Sequence, residues 1–282
     1  MLVRTLAVVA ATFLALLAPA DPATAAPAWA PAGQATVHPG VQMVTQGAQC
    51  TANFVFYDAT NVYLGYAAHC AGTGGSTETN GCDAASHPLG TKVQIDGASR
   101  PGVLVYSSWL EMQSNGESDG DTCQYNDFAL VRIDAADAGK VNPSVPFWGG
   151  PSAPRADSTP GEQVYTYGNS SLRLGVQALS PKTGTSLGEA GGGWTHDVYT
   201  ASPGIPGDSG SAVLDSTGGA LGILVTLQAA PLAGSNGVTD MEKAQTYMEA
   251  NAAPIDVTLA VGTQAFSPRL GLGLGLGLGS LG

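Results

Sequence analysis

The chain has 282 residues, a formal net charge of -12 and a sequence pI near 4.4. So acidic a surface repels nucleic acid and anionic membranes at neutral pH, which excludes both as partners. The first residues read as an export signal. Met1 to Arg4 are basic, Leu6 to Leu17 are apolar apart from Thr12, and small-residue sites follow at Ala18-Pro19-Ala20 and Ala23-Thr24-Ala25. The apolar run falls well short of the roughly 20 residues that span a bilayer, so it predicts a secretory signal peptide over residues 1–25. The mature protein is expected to be secreted and extracellular, with no membrane span. Four cysteines, Cys50, Cys70, Cys82 and Cys123, fit disulfides in an exported chain. They allow three pairings, of which Cys50–Cys70 and Cys82–Cys123 join nearest neighbours.

Along the mature chain, residues 26–40 are rich in Pro and Ala and read as a short leader or flexible arm. From Val41 the pattern becomes short apolar runs separated by Gly, Asn, Asp and Ser: Asn53 to Tyr57, Val62 to Tyr66, and Phe128 to Ile133. This predicts strands and hairpins. Residues 142–162 hold five prolines and read as a connector. Strand patterns resume at Gln163 to Tyr167, Val198 to Ala201, Ser211 to Leu214 and Leu221 to Leu227. The expected architecture is all-β, two tandem antiparallel β-barrels of six-stranded type, the first over about 41–140 and the second over about 161–263. One short helix is predicted near the C-terminus, where Thr239-Asp240-Met241-Glu242 has the form of a capping box and helix formers run to Asn251. Residues 264–282 are expected to be a low-complexity tail, mostly Leu-Gly alternation.

Three segments carry chemistry. In Tyr66-Ala67-Ala68-His69-Cys70 an apolar strand runs into a histidine whose imidazole titrates near neutrality, as a general base must. In Asn126-Asp127-Phe128-Ala129-Leu130 an aspartate opens an apolar strand, where burial demands a partner; the Nδ1–H of His69 is the natural one. In Gly207-Asp208-Ser209-Gly210 two glycines bracket a serine, permitting a tight turn whose amides converge. Taken singly, each has an ordinary structural reading: a packed histidine, a capping aspartate, a simple turn. The stretch Glu117-Ser118-Asp119-Gly120-Asp121 lacks the remaining ligands of a calcium loop, so no metal and no cofactor is expected.

Together, Ala67-Ala68-His69-Cys70, Asp127-Phe128-Ala129-Leu130 and Gly207-Asp208-Ser209-Gly210 resemble the three signature blocks of chymotrypsin-like serine proteases, in family order, and the chain looks most like the secreted bacterial members. The resemblance implies a serine endopeptidase acting on protein or peptide substrates as a monomer. It assigns Ser209 as nucleophile, His69 as base, Asp127 as its orienter, and the amides of Gly207 and Ser209 as oxyanion hole. It also implies a Cys50–Cys70 disulfide beside the histidine. The specificity pocket would lie between Thr200–Pro206 and Gly222–Gln228, with Thr200, Pro203 and Thr226 contacting substrate. Neither segment is charged, which points to a neutral or apolar residue at the cleavage site. The Ile-Val-Gly-Gly-like terminus that pairs with the aspartate before the nucleophile in animal digestive relatives is missing, so Asp208 needs another partner. The alternative reading is a catalytically silent binding or adhesion protein on the same fold. An α/β-hydrolase is disfavoured because that fold places its nucleophile first in the chain.

Overall fold

The computed structural model describes residues 25–75, 78–154, 157–252 and 255–269; the expected signal peptide up to residue 24 and the Leu-Gly run from 270 lie outside them. Strands β1 (Gln42–Thr45), β2 (Ala48–Thr51), β3 (Val55–Tyr57), β4 (Val62–Tyr66), β5 (Lys92–Ile95), β6 (Gly102–Ser107) and β7 (Ala129–Arg132) come from the first half of the chain. Strands β8 (Gln163–Tyr167), β9 (Pro181–Ala190), β10 (Thr195–Thr200), β11 (Ala212–Leu214), β12 (Ala220–Leu227) and β13 (Asn236–Asp240) come from the second, followed by a two-residue strand β14 (Thr258–Leu259). The second set closes into a six-stranded barrel in the order β10-β13-β12-β11-β8-β9, and every pairing is antiparallel.

The first unit departs from a six-stranded barrel. It is a curled sheet of eight strands in the order β14-β3-β4-β7-β6-β5-β1-β2. The short hairpin β1–β2 extends one edge, while β14 returns from the far end of the chain to pair Leu259 with Phe56 and Thr258 with Tyr57. Burial accounts for that return, because Val257, Leu259 and Ala260 are covered only by docking there.

The two cores differ in scale. Phe54, Phe56, Tyr66, Tyr106, Phe128 and Trp148 belong to one large apolar cluster centred on the first sheet. The closed barrel has its own six-residue core of Val164, Val198, Val213, Leu221, Leu224 and Val238. Residues expected to be a flexible arm are also docked. Val37 is buried against Val141, the Ala30 amide donates to Val141, and Trp29 meets Tyr57 edge-on. Beyond residue 263, Phe266 packs on Tyr165 and the Ser267 amide donates to Trp148.

The structure contains three α-helices among the described residues, α1 (Ser108–Asn115), α2 (Gly120–Tyr125) and α3 (Met241–Asn251). Only α3 was anticipated, and its cap is one residue later than the capping box suggests. Asp240 accepts from the Lys243 amide, while Thr239 stays in β13 and donates its hydroxyl to Tyr125 O. The acidic stretch before α2 is spent on backbone amides. Glu117 accepts from Ser118 and Asp119, and Asp119 caps α2 by accepting from the Thr122 amide and hydroxyl. None of the helices is long and apolar enough to cross a membrane.

Candidate active site

The pairing of β4 with β7 builds the first half of the site. Tyr66 lies opposite Ala129, so the residues just beyond β4 meet those just before β7. His69 sits in a 3-10 turn, Ala68–Ala71, immediately after β4. Its ring Nδ1–H donates to Asp127 Oδ2 at 2.6 Å and its backbone amide donates to Oδ1 of the same carboxylate at 2.8 Å. Both carboxylate oxygens are therefore used to fix one residue. Burial of the imidazole disfavours its charged form, but the charge and hydrogen bond of Asp127 outweigh it, so the His69 pKa is raised above 6.5. Among the described residues the ring bonds only to Asp127, which leaves Nε2 without a protein partner and Ser209 Oγ unbonded to it.

Both predicted disulfides flank this pair. Cys50–Cys70 pins the residue after His69, and Cys82–Cys123 joins the segment downstream of His69 to α2, which ends two residues before Asp127. A ring nitrogen of His69 and the Cys50 and Cys70 sulfurs lie within 4.8 Å of one another. Those sulfurs are bonded to each other and offer no thiolate to a metal. Trp109, on the buried face of α1, has its ring centroid 6.4 Å from that of His69.

The Gly207–Gly210 turn supplies the other half. Gly207 and Gly210 have φ of +94° and +91°, backbone that a β-carbon disfavours. A side chain on Gly210 would also strike Thr51 O and crowd Ala67 N. The amides of Asp208, Gly210 and Ser211 donate to Ile205, Leu224 and Asp208. Those of Gly207 and Ser209 have no acceptor among the described residues. The turn is tied to the first unit through three consecutive residues. Thr51 N donates to Ser209 O at 2.8 Å, Thr51 Oγ1 and Gln49 Nε2 donate to Gly207 O at 2.7 and 3.0 Å, and Cys50 between them is bonded to Cys70. One short segment thus holds both the histidine and the serine turn.

Asp208 finds two cations that the sequence reading missed. Its fully buried carboxylate accepts from Arg173 Nη2 and Lys182 Nζ, each at 2.7 Å, and from the amides of Ser170 and Ile205. Burial alone would raise the carboxyl pKa; Lys182 and Arg173 reverse this and hold it low. The same burial pulls the Lys182 pKa below 10.5, an effect Asp208 only partly offsets. Neither residue stands out in sequence, since each is an isolated cation whose partner lies 26 or more positions away.

The expected specificity segments come together around Asn236. Its Oδ1 accepts from the Gly204 amide and its Nδ2 donates to Thr226 O, so it joins the 200–206 stretch to β12. Thr200 is buried and donates its hydroxyl to Ser202 O, Pro203 O accepts from Arg173, and the Thr226 hydroxyl accepts from the Gly237 amide. The side-chain hydroxyls of Thr200 and Thr226 are thereby engaged within the protein, and Asn236 is the side chain that sequence reading overlooked.

Two antiparallel β units thus carry the candidate site, a carboxylate-bound histidine on one and a glycine-bracketed serine turn on the other. The chain belongs to the trypsin-like peptidase domain family, whose model matches residues 50–223 and so spans all three blocks. Two solved structures share its fold. Thermobifida fusca Protease A is 16% identical, with 80% of this chain and 99% of that one aligned at a TM-score of 0.52. A glutamic acid-specific serine protease, described as using a histidine triad in substrate binding, is 19% identical, with 79% and 100% aligned at 0.50. No curated protein sequence matches the chain.

Proposed function

We propose that this chain is a secreted serine endopeptidase that cleaves peptide bonds through an acyl-enzyme, its peptidase unit spanning residues 41–263. Ser209 Oγ attacks the scissile carbonyl carbon while His69 Nε2 takes its proton. The carbonyl oxygen, now negative, accepts hydrogen bonds from the Gly207 and Ser209 amides. Collapse of the intermediate expels the amine, which takes the proton from His69, and water then releases the acid by the same route. Asp127 holds the Nδ1–H tautomer and stabilises the imidazolium. One oxyanion donor is typically worth about 3–4 kcal/mol at the transition state.

The observation that carries this reading is the double anchorage of His69 on Asp127, which orients the ring and leaves Nε2 as its one unpaired nitrogen. The unengaged amides of Gly207 and Ser209 support the oxyanion assignment. Export is supported by the N-terminal sequence and the two disulfides. The uncharged segments 200–206 and 222–228 support a neutral or apolar residue at the cleavage site. Because Asp208 is neutralised internally by Arg173 and Lys182, the turn does not depend on a newly cut N-terminus.

The test is labelling of the purified protein with a fluorophosphonate, beside Ser209→Ala. The parent should label and hydrolyse peptides, and the variant should fold alike yet lose turnover by about 10^6-fold, as for other removed serine nucleophiles. A folded parent that does not label would instead indicate the binding-protein reading.

A further inference from the structure

The two candidate oxyanion amides belong to the peptide groups Pro206–Gly207 and Asp208–Ser209. Neither N–H has an acceptor among the described residues, so nothing holds either amide directly. A trans peptide is planar, with its C=O and N–H pointing opposite ways, and whatever holds the carbonyl therefore aims the amide. Both groups are trans. Pro206 O accepts from Ser170 Oγ and Asp208 O accepts from Ser211 Oγ, each at 2.5 Å. Each candidate donor thus has a serine hydroxyl bonded to the far side of its own peptide plane.

These planes need such a bond. The Pro206–Gly207 plane turns about a torsion that belongs to Gly207, and glycine tolerates both signs of φ. The peptide between the two donors is held separately, because Gly207 O accepts from Thr51 Oγ1 and Gln49 Nε2. The two hydroxyls are themselves anchored. Ser170 is buried in the loop after β8, where its amide donates to Asp208 Oδ1 and its Oγ accepts from the Leu172 amide. A β-carbon on Gly207 would lie 3.0 Å from Ser170 Oγ, so this approach depends on the glycine. Ser211 is fully buried at the start of β11; its amide also donates to Asp208 O, and its carbonyl accepts from the Leu224 amide of β12.

We infer that Ser170 and Ser211 are positioning residues of the oxyanion hole, each orienting one donor peptide through its carbonyl oxygen and touching no substrate. The inference rests on the endopeptidase reading and adds how two amides without partners in the free protein are kept aimed at one point.

The test compares the full protein with Ser170→Ala, Ser211→Ala and the double variant on a short chromogenic peptide. For each single variant kcat should fall about tenfold with KM little changed, and for the double about a hundredfold, the scale of misaimed rather than deleted donors. Inhibition by a peptide aldehyde, whose adduct oxygen uses the same amides, should weaken by the same factors. Binding of the matching peptide alcohol, which forms no adduct, should not change. A lowered urea midpoint with parental kcat per folded molecule would make both serines structural and overturn the inference. An equal loss on aldehyde and alcohol would also overturn it, placing the effect in substrate binding. Should the alanine variants not fold, Ser170→Cys and Ser211→Cys fill the same space with a much weaker donor. They should show a kcat loss of the same kind, and parental kcat in them sinks the inference. A parent that neither labels with fluorophosphonate nor cleaves peptide overturns the peptidase reading instead.

Discussion

The first sheet and the closed barrel hold their halves of the site by different physics. Around His69 and Asp127 the support is apolar and covalent: Phe54, Phe56, Tyr66, Tyr106 and Phe128 pack beneath the strands, and two disulfides flank the pair. Around Ser209 the support is buried and polar. Asp208 gathers Arg173 and Lys182, and Asn236 bridges the 200–206 stretch to β12. Deeper in the barrel, His196 Nε2–H donates to Asp240 at 2.8 Å while its Nδ1 stands 3.2 Å from Ser158 Oγ. Tyr165, Ala212, Leu214, Ala220 and Ile223 of the barrel join the large cluster, its separate interior core is six aliphatic residues, and bonded networks add direction to that packing. Apolar packing holds a strand in place from beneath, whereas directional bonds fix a turn whose amides must point one way.

That contrast can be broken most severely at Asp208. Asp208→Asn leaves two buried cations without their counter-charge, which should cost about 3–5 kcal/mol of stability. Because the same carboxylate accepts from the Ser170 and Ile205 amides, the turn should also lose its shape. Fluorophosphonate labelling per folded molecule should drop at least about a hundredfold, the scale of one lost oxyanion donor. Phe56→Ala should cost a similar 3–5 kcal/mol or so by emptying a core site, yet labelling per folded molecule should stay near the parent's. Urea titration with labelling at each point separates the two. If Phe56→Ala silences the folded protein as thoroughly as Asp208→Asn, the division of labour is wrong.

The mildest perturbation is pH. In the proposed mechanism His69 must be neutral to accept the serine proton, and its pKa is raised by Asp127. The acid limb of kcat/KM should therefore have its midpoint above the ordinary histidine value of about 6.5, with rate lost as pH falls through it. In stability the sign is opposite for this group. A raised folded pKa favours folding below the unfolded value, and that contribution fades as pH rises through the folded one. Asp208, held low, contributes above the ordinary carboxyl range and loses its contribution only as acid overtakes its depressed pKa. A limb centred below 6.5 would mean that Asp127 does not govern His69 in solution.

What the sequence disclosed was local. β4, β7, β8 and β12 were legible because each is a compact apolar run bounded by turn formers, and the three family blocks because their pattern lies within four or five residues. β9 was hidden: Pro181-Lys182-Thr183-Gly184 shows no apolar alternation, since its buried side includes a lysine whose burial makes sense only beside Asp208. α1 and α2 were hidden as well. Neither has a strong apolar face, and both are held by Trp109, Met112 and the Cys82–Cys123 bridge rather than by intrinsic helix preference. Gln49, Arg173, Lys182 and Asn236 act on residues 26 to 158 positions away, and a polar side chain carries no local sign of a partner at that range.

The return of β14 to the edge of the first sheet has a consequence for the timing of synthesis. The half of the site containing His69 and Asp127 leaves the ribosome first, but its sheet takes its outermost strand from residues 258–259. Phe266, later still, seats against Tyr165. A nascent chain that has already released both candidate side chains therefore has an unfinished sheet beneath them, and a ribosome stalled anywhere before residue 258 holds a polypeptide that lacks this edge strand. Residues 258–259 thus complete the edge of a sheet whose other strands all precede residue 133.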